Sequence, residues 1–465
     1  MPYSLLTSMM DSLVRGMGRC MRSRGKWAVS IYLALPLAMG CRDLAGEQTL
    51  GNEQVPPRHI QNASGAYGMA ILAQLRWQQG LASYIIQSGV LTDELQVSDR
   101  GSLESALTAS SMVLLDARIL TTDVTNRLYS GLHDVRNTGR QAISALTKYA
   151  GDSSAARRGA LFAMTGYAEL FLADIYCSGI PLSTLDFEAD YTYRPGSSTA
   201  DVYRHAIALF DTALSLASDS LPIVHWATVG KGRALLALGE VAAAAQVVHQ
   251  IPPDFVHNET IYTCGRVGVH CANSRNGAEI ATLDFNHVSV SNGEGRDSAI
   301  TWTNPLTAAQ PIGTGLYGAP VYFPGKYVRN GISLVTVASG IEAALIRAEA
   351  ALNADDIPGW LLILNALRAS SPLTDTMIVL TDPGMEKRRD TLFAERARWL
   401  FLTGHRQGDL RRWLRQEPTR VPQDLYPTGV YPGGIRNYGN DIVLPIRVID
   451  EGNNPHFRAC VDRRA

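Results

Sequence analysis

Residues 392–413 read LFAERARWLFLTGHRQGDLRRW. Five arginines and two acids stand there among two tryptophans and two phenylalanines, in a chain of which only 18% is charged. Three settings produce such a stretch: a cationic stripe facing nucleic acid, a catalytic cluster, or a buried ionic clamp in a helical protein. The charge of the whole chain removes the first. Its 42 Lys and Arg balance 43 Asp and Glu, and away from this stretch and residues 1–26 the signs are not segregated, so no positive field meets a polyphosphate backbone. With 46% apolar residues over 465 positions, the chain is globular and long enough for one large core or two smaller ones. A surface this sparsely charged suits a neutral ligand.

Arg15, Arg19, Arg22, Arg24 and Lys26 precede an apolar run, 27–39, that is too short to span a bilayer and closes as LAMGC. A basic region, a short apolar stretch and a small residue before the break describe a secretory signal over 1–40. A cysteine directly after the small residue marks a lipoprotein, so Cys41 is the expected lipidation site and the first mature residue. The leucine usual three residues before such a cysteine lies four before it, at Leu37, and Met21 would begin a signal of more usual length. Export places the remaining cysteines, Cys177, Cys264, Cys271 and Cys460, in an oxidising compartment as an even set. Cys264 and Cys271 bracket CGRVGVHC, and a disulfide is expected there, with Cys177 and Cys460 left open. His270 has no second CxxC or HxxxH to complete four ligands, so no metal site is expected.

Residues 41–68 are polar, carry Pro56-Pro57 and read as a tether. Beyond them the period turns helical. Leu161, Met164, Ala168, Phe171, Leu172 and Ile175 fall on one stripe of a 3.6-residue helix. Tyr203, Ala206, Ile207, Phe210, Leu214 and Ala217 repeat it, as do Ile341, Ala344, Leu345, Ala348 and Leu352, with a looser version at Leu128, Leu132, Val135, Ala142 and Leu146. ALLALGEVAAAAQVV at 234–248 offers small residues on both sides of Gly239, which lets two helices approach closely, as in tetratricopeptide units. Three or four such pairs are expected. The stretches 252–339 and 415–465 are loop-rich, with EIATLDF and ITW as candidate strands, and interrupt or follow helical scaffold at 69–251 and 340–414. Long excursions from a rigid scaffold are where binding residues gather.

GTGLYG at 313–318 has the letters of a dinucleotide loop, but no strand is read before Gly313 and Pro320 stands where a helix should begin, so it reads as a turn. No GxSxG, HExxH or Walker A sequence is present. The acid pairs Asp93-Glu94 and Asp355-Asp356 have no spacing that assigns them a glycosidase role. No catalytic residue and no cofactor is expected. Trp399, Phe401 and Trp413 accompany helical pattern and are read as core. Tyr191, Tyr193, Trp302, Tyr317 and Tyr322 lie in irregular segments, where aromatic faces stack on sugars while amides and guanidinium groups take the hydroxyls, and these five are the candidate ligand-binding residues.

Several blocks, taken in order, resemble the SusD/RagB family of outer-membrane nutrient-binding lipoproteins: SGVLTDE (88–94), the tyrosine and asparagine of RLYSGLHDVRNT, AELFLADIYCSGIPL, YRPGSSTADVYRHAIALFDTAL, GKY (325–327), IEAALIRAEAAL, the arginine-rich stretch with its upstream EKRRD, and VLPIRVIDEGNNP. Glu395, Gly404, His405, Arg406, Asp409, Leu410, Arg411 and Arg412, then Pro445, Ile446, Asn454 and Pro455, stand at the positions of the family's arginine-rich and late Asn-Pro signatures. The resemblance implies a mainly α fold over 69–465, with four tetratricopeptide-like helix pairs and a loop-rich, mixed second part. It also implies a lipoprotein at the outer membrane, facing outward, that delivers an oligosaccharide or peptide to a SusC-like TonB-dependent transporter. The usual acidic signal after the lipidated cysteine is reduced here to Arg42-Asp43, and the family's ligand residues follow no motif. In a helix ending at Gly404, Arg389, Glu395 and Arg398 are expected to meet partners three or four residues away, while Arg406, Asp409 and Arg412 tie the next segment onto the scaffold. A helical-repeat envelope adaptor and a glycan hydrolase are the other readings.

Overall fold

The computed structural model describes residues 60–98, 112, 114–120, 126–187, 190–265, 274–275, 278–279, 281–286, 288–291, 301, 304–314, 320–370, 379–431, 437–446, 454–458 and 460–462. Among them the helices are α1 (Ala63–Leu91), α2 (Asn126–Tyr149), α3 (Ala155–Ile175), α4 (Thr199–Leu216), α5 (Leu221–Ala237), α6 (Val241–Val248), α7 (Gly340–Asn353), α8 (Ile357–Ser370), α9 (Met385–Trp399) and α10 (Arg406–Gln416). Each of the first seven packs on the next, so α1/α2, α3/α4, α5/α6 and α7/α8 form four pairs in a row. None of them is long and apolar enough to cross a membrane.

The helical stripes become the core. All six residues of the 161–175 stripe are buried, as are Leu128, Leu132, Val135, Ala142 and Leu146 of α2. Close approach between pairs depends on small residues: a Cβ on Gly230 of α5 would lie 2.6 Å from the ring of Phe210, which α4 inserts there. Trp77 of α1 lies parallel to Phe171 of α3 at 5.9 Å, and Phe171 stacks on Tyr84 at 4.0 Å, so large rings fill the space that the alanines leave between α1 and α3.

The strands are short. They are β1 (Leu95–Val97), β2 (Ile180–Pro181), β3 (Thr184–Leu185), β4 (Tyr191–Thr192), β5 (Gly196–Ser197), β6 (Val256–Cys264), β7 (Ser274–Arg275), β8 (Ala278–Glu279), β9 (Thr282–Asp284), β10 (Val288–Val290), β11 (Ala309–Thr314), β12 (Pro320–Pro324) and β13 (Gly331–Ser339). The stretch read as loop-rich thus holds a three-stranded sheet in which β6 pairs antiparallel with β13 and parallel with β9. Glu259 of β6 fastens that sheet to α1 by accepting from Trp77 Nε1 at 2.7 Å and from the Gln74 and Gln78 side chains. EIATLDF supplies β9, while most of ITW lies outside the described residues. A strand does run through Gly313, against the sequence reading, but β11 folds back on β12 as an antiparallel hairpin, so no helix N-terminus follows it to hold a phosphate. The helix α1 starts inside the stretch read as tether because Asn62 caps it, its side chain accepting from Gly65 N at 2.9 Å.

The arginine-rich stretch closes the scaffold. The helix α9 ends at Trp399 and not at Gly404, because Leu402 takes φ 50° and Gly404 φ 75°, a conformation α-helix cannot continue. A Cβ at Gly404 would also meet the Tyr84 ring at 2.7 Å. Bonds tie this turn and α10 to α3, α5 and α7 and to the residue just beyond α1. Arg406 binds Asp93, just beyond α1, through two bonds of 2.7 and 2.8 Å. Arg411 donates to the Ala173 and Asp174 carbonyls at the end of α3. Arg233 of α5 donates to the Gly404 carbonyl and to Asp174. Arg412 reaches Glu349 of α7, and His405 Nε2 lies 2.9 Å from Glu342 in the first turn of α7.

The acids inside α9 and α10 are shared. Asp409 accepts from Arg396 Nε and Nη2 at 2.9 Å and from Arg412 at 2.9 Å. Burial alone would raise its pKa, but the Arg396 and Arg412 guanidiniums outweigh burial and hold the carboxyl well below the ordinary value. Glu395 accepts from Arg398 three residues on, from Arg368 of α8 at 2.6 Å and from Trp399 Nε1. Arg389 has no partner within its own helix and reaches across to Gln416 and Glu417. Phe401 and Trp413 are buried, and Trp399 is partly so.

Cys177 is disulfide-bonded to Cys460, 283 residues away, a pairing the sequence left open. Leu444 N bonds the Ile175 carbonyl and Val461 N the Ser178 carbonyl, so the tail is strapped over the end of α3. Cys264 is also disulfide-bonded, while its expected partner Cys271 lies outside the described residues, as does Cys41.

Truncation at the clamp strands a buried charge. Arg406→Ala leaves Asp93 without its guanidinium at a site where both side chains are 1% exposed or less, so a loss of about 3–5 kcal/mol is expected in urea unfolding. Glu94 gives a pH signature. Burial pushes its pKa up to about 7, partly opposed by the Leu402 N–H that it accepts at 2.7 Å. The folded state therefore binds the proton more tightly than the unfolded state, and this stability is present below pH 4.5 and lost as pH rises through about 7, some 3 kcal/mol in all. Glu94→Gln should lack that slope, so the unfolding free energy of the variant minus that of the parent should rise across the same window.

Candidate functional site

The polar face of α2 carries Tyr129, His133 and Asn137, at i, i+4 and i+8, one stripe opposite the apolar one. Together with Ser130 and Asp134 they form one side of a cleft of about 370 Å3. The other side is the segment after α3: Pro181, Ser183, Tyr191 and Tyr193, with Asn454 of the C-terminal tail closing it. Two short ladders shape that wall, β2 with β5 and β3 with β4. In the extended chain Tyr191 and Tyr193 point to one side, and their rings meet edge to face at 4.7 Å. They stay 49% and 39% exposed, so their faces are open to a ligand.

Every amide at the cleft also has a bracing task. Asn137 Oδ1 accepts from Leu185 N at 3.1 Å, Asn454 Nδ2 donates to the Arg194 carbonyl at 2.8 Å, and Ser183 Oγ accepts from Arg194 N at 3.0 Å. The tyrosine-bearing segment is thereby held from α2 and from the tail. Beneath it Arg136 is buried and donates to Glu169 at 2.8 Å, to the Ser183 carbonyl and to His133 Nδ1 at 2.9 Å. A guanidinium cannot accept, so Nδ1 is the acceptor and the His133 proton sits on Nε2. Burial, then the nearby Arg136 charge, keeps His133 well below its ordinary pKa and therefore neutral.

Of the five candidate ligand-binding residues, the structure brings Tyr191 and Tyr193 to the cleft. Tyr322 is on β12, half-buried against the main core, with its N–H on Ser289 Oγ, and does not line the cleft. Trp302 and Tyr317 lie outside the described residues. Sequence reasoning passed over Tyr129, His133, Asn137 and Asn454 as site residues. The signal was present: Tyr129, Asn137, Pro181 and Asn454 all belong to the blocks quoted for the SusD/RagB resemblance, and the fold gathers those distant blocks at one place. The acid pairs have other work. Asp93 and Glu94 hold the α9–α10 turn, and Asp356 accepts from Gly359 N at the start of α8.

Comparison with known proteins agrees with this architecture. A SusD superfamily protein from Bacteroides vulgatus ATCC 8482 matches 86% of this chain and 99% of its own, at 14% identity and a TM-score of 0.57. Surface glycan-binding protein A from Bacteroides thetaiotaomicron matches 86% of this chain and 99% of its own, at 12% identity and a TM-score of 0.59. Its namesake from Bacteroides uniformis matches 85% and 99%, at 10% identity and a TM-score of 0.61. No protein-family model and no curated protein sequence matches the chain. At these identities the likeness is one of fold, and the fold is mainly α and SusD-like.

Proposed function

We propose that this SusD-like chain is a non-catalytic, surface-exposed lipoprotein that binds an oligosaccharide in the cleft between α2 and the Tyr191–Tyr193 wall. The bound fragment passes to a SusC-like TonB-dependent outer-membrane transporter, and a lipid on Cys41 keeps the protein at the outer membrane facing the exterior. The observation that carries the reading is the pair of exposed, mutually braced tyrosines above a floor of amide, hydroxyl and neutral imidazole groups, the combination that stacks on sugar faces and satisfies hydroxyls. Two of the solved structures with this fold are named surface glycan-binding proteins, which supports the ligand class. A hydrolase needs two opposed carboxylates, and Asp134 is the one acid among the described residues that line the cleft.

A glycan array followed by calorimetry on the chain from Cys41 onward tests this. Replacing both Tyr191 and Tyr193 by Ala is expected to weaken the best glycan ligand about tenfold or more while the melting temperature stays put, because both rings are largely outside the core. Unchanged affinity for every bound glycan would remove the cleft from the reading.

A further inference from the structure

The arginines of the clamp are matched to acids or carbonyls. Arg140 and Arg194 differ: among the described residues no hydrogen bond or ion pair engages either guanidinium, and both side chains are exposed. Neither lines the cleft itself, but each is carried just beyond it by an element that does. On α2, Arg140 falls on the face of His133 and Asn137, about one turn beyond Asn137. Arg194 directly follows Tyr193, and its backbone is gripped on both sides by Ser183 Oγ and Asn454 Nδ2, which fixes where its side chain starts.

The Arg194 charge acts on Arg140. Although the residue is exposed, partial desolvation of the Arg140 guanidinium first, then the like charges of Arg136 and Arg194, hold it below its ordinary pKa. The acid that acts on Arg140 is Glu169, which is 0% exposed and already engaged by Arg136 and His205. A pair of neighbouring cations that no acid among the described residues pairs is stabilised when an external anion joins it, and the planar guanidinium fork suits carboxylate or sulfate oxygens. Asp134, the acid of the cleft, is set off from Arg140 by about 120° around the helix axis, on the flank of α2.

Resting on the reading of the cleft as a glycan site, we propose that its ligand is an acidic oligosaccharide whose carboxylate or sulfate group is held between Arg140 and Arg194 while a sugar face lies on Tyr191 and Tyr193. The low overall charge of the chain, which by itself suits a neutral ligand, is overridden at this spot.

The test is calorimetry on the mature chain with oligogalacturonate and chondroitin sulfate oligosaccharides against neutral malto- and xylo-oligosaccharides, with inorganic sulfate alone as a further probe. An acidic oligosaccharide should bind, more weakly as salt is raised, and the neutral sugars should bind at least about tenfold less tightly. Replacing both Arg140 and Arg194 by Gln should cost about tenfold or more for the acidic ligand, and the corresponding Lys pair should recover part of it. Both side chains are exposed, so an unchanged melting temperature checks that the variants fold. Neutral sugars binding as tightly as acidic ones with no effect of the Gln pair would overturn the proposal and leave the glycan cleft standing. Sulfate alone binding as tightly as the oligosaccharides would overturn it too. If no sugar binds, the glycan reading itself fails and takes the proposal with it.

Discussion

One turn, between α9 and α10, carries the geometry of the whole scaffold. A row of helix pairs is held together by neighbour contacts alone, and such a row can flex or splay at any junction. Here Arg406, Arg411, Arg412 and the Gly404 carbonyl bond to the segment just beyond α1, to α3, to α7 and to α5, so all four pairs are tied to one place. The links are charge-assisted and buried, so each is strong only while its partner is present. That makes the turn a register device: it stabilises one relative arrangement of four pairs and penalises others by stranding a charge. The positive φ at Leu402 and Gly404 is what lets one short segment face several directions.

The cleft depends on that arrangement at second hand. Its floor is α2, which is buried against α1 and α3, and its wall is the segment leaving the end of α3, where Arg411 satisfies the last carbonyls. The tail crosses the same helix end, strapped by backbone bonds and by the bond between Cys177 and Cys460, and delivers Asn454 to the Arg194 carbonyl. Three segments far apart in the chain therefore meet within one patch, and the tyrosines are presented by a wall that is braced from both sides. A braced wall loses little conformational entropy when a ligand arrives.

What could be read from the chain, and what could not, follows from the range of each interaction. Helices α3, α4, α7 and the α5–α6 pair were legible because an apolar period of 3.6 residues is a local property, and Gly239, at φ 83°, marks the break between α5 and α6. The arginine-rich stretch was legible as a clamp, yet its partners were not: Asp93 is 313 residues from Arg406 and Glu349 is 63 from Arg412. Arg389 was expected to pair within its helix and instead reaches Glu417, since α10 folds back beside it. At the cleft, Tyr191 and Tyr193 were visible as aromatics in a loop, but Tyr322 looked the same in sequence and is half-buried at a strand position. Tyr129, Asn137 and Asn454 were legible only as matching positions in separate blocks, because their convergence is a property of the fold and of no single stretch.

The contrast between two sets of arginines carries the functional argument further than composition does. In the clamp, guanidiniums and carboxylates are nearly matched within a buried volume, so their charges cancel locally and hold structure. Beside the cleft, Arg136 is matched by Glu169 beneath the surface, while among the described residues no acid pairs with the next two cations outward, Arg140 and Arg194. A net charge near zero averages over both places and conceals the difference. Among the described residues neither Arg140 nor Arg194 uses its guanidinium to hold the fold, so these exposed side chains can change without loosening the scaffold. The buried arginines have no such freedom, because each one removed leaves an acid or a helix end unsatisfied.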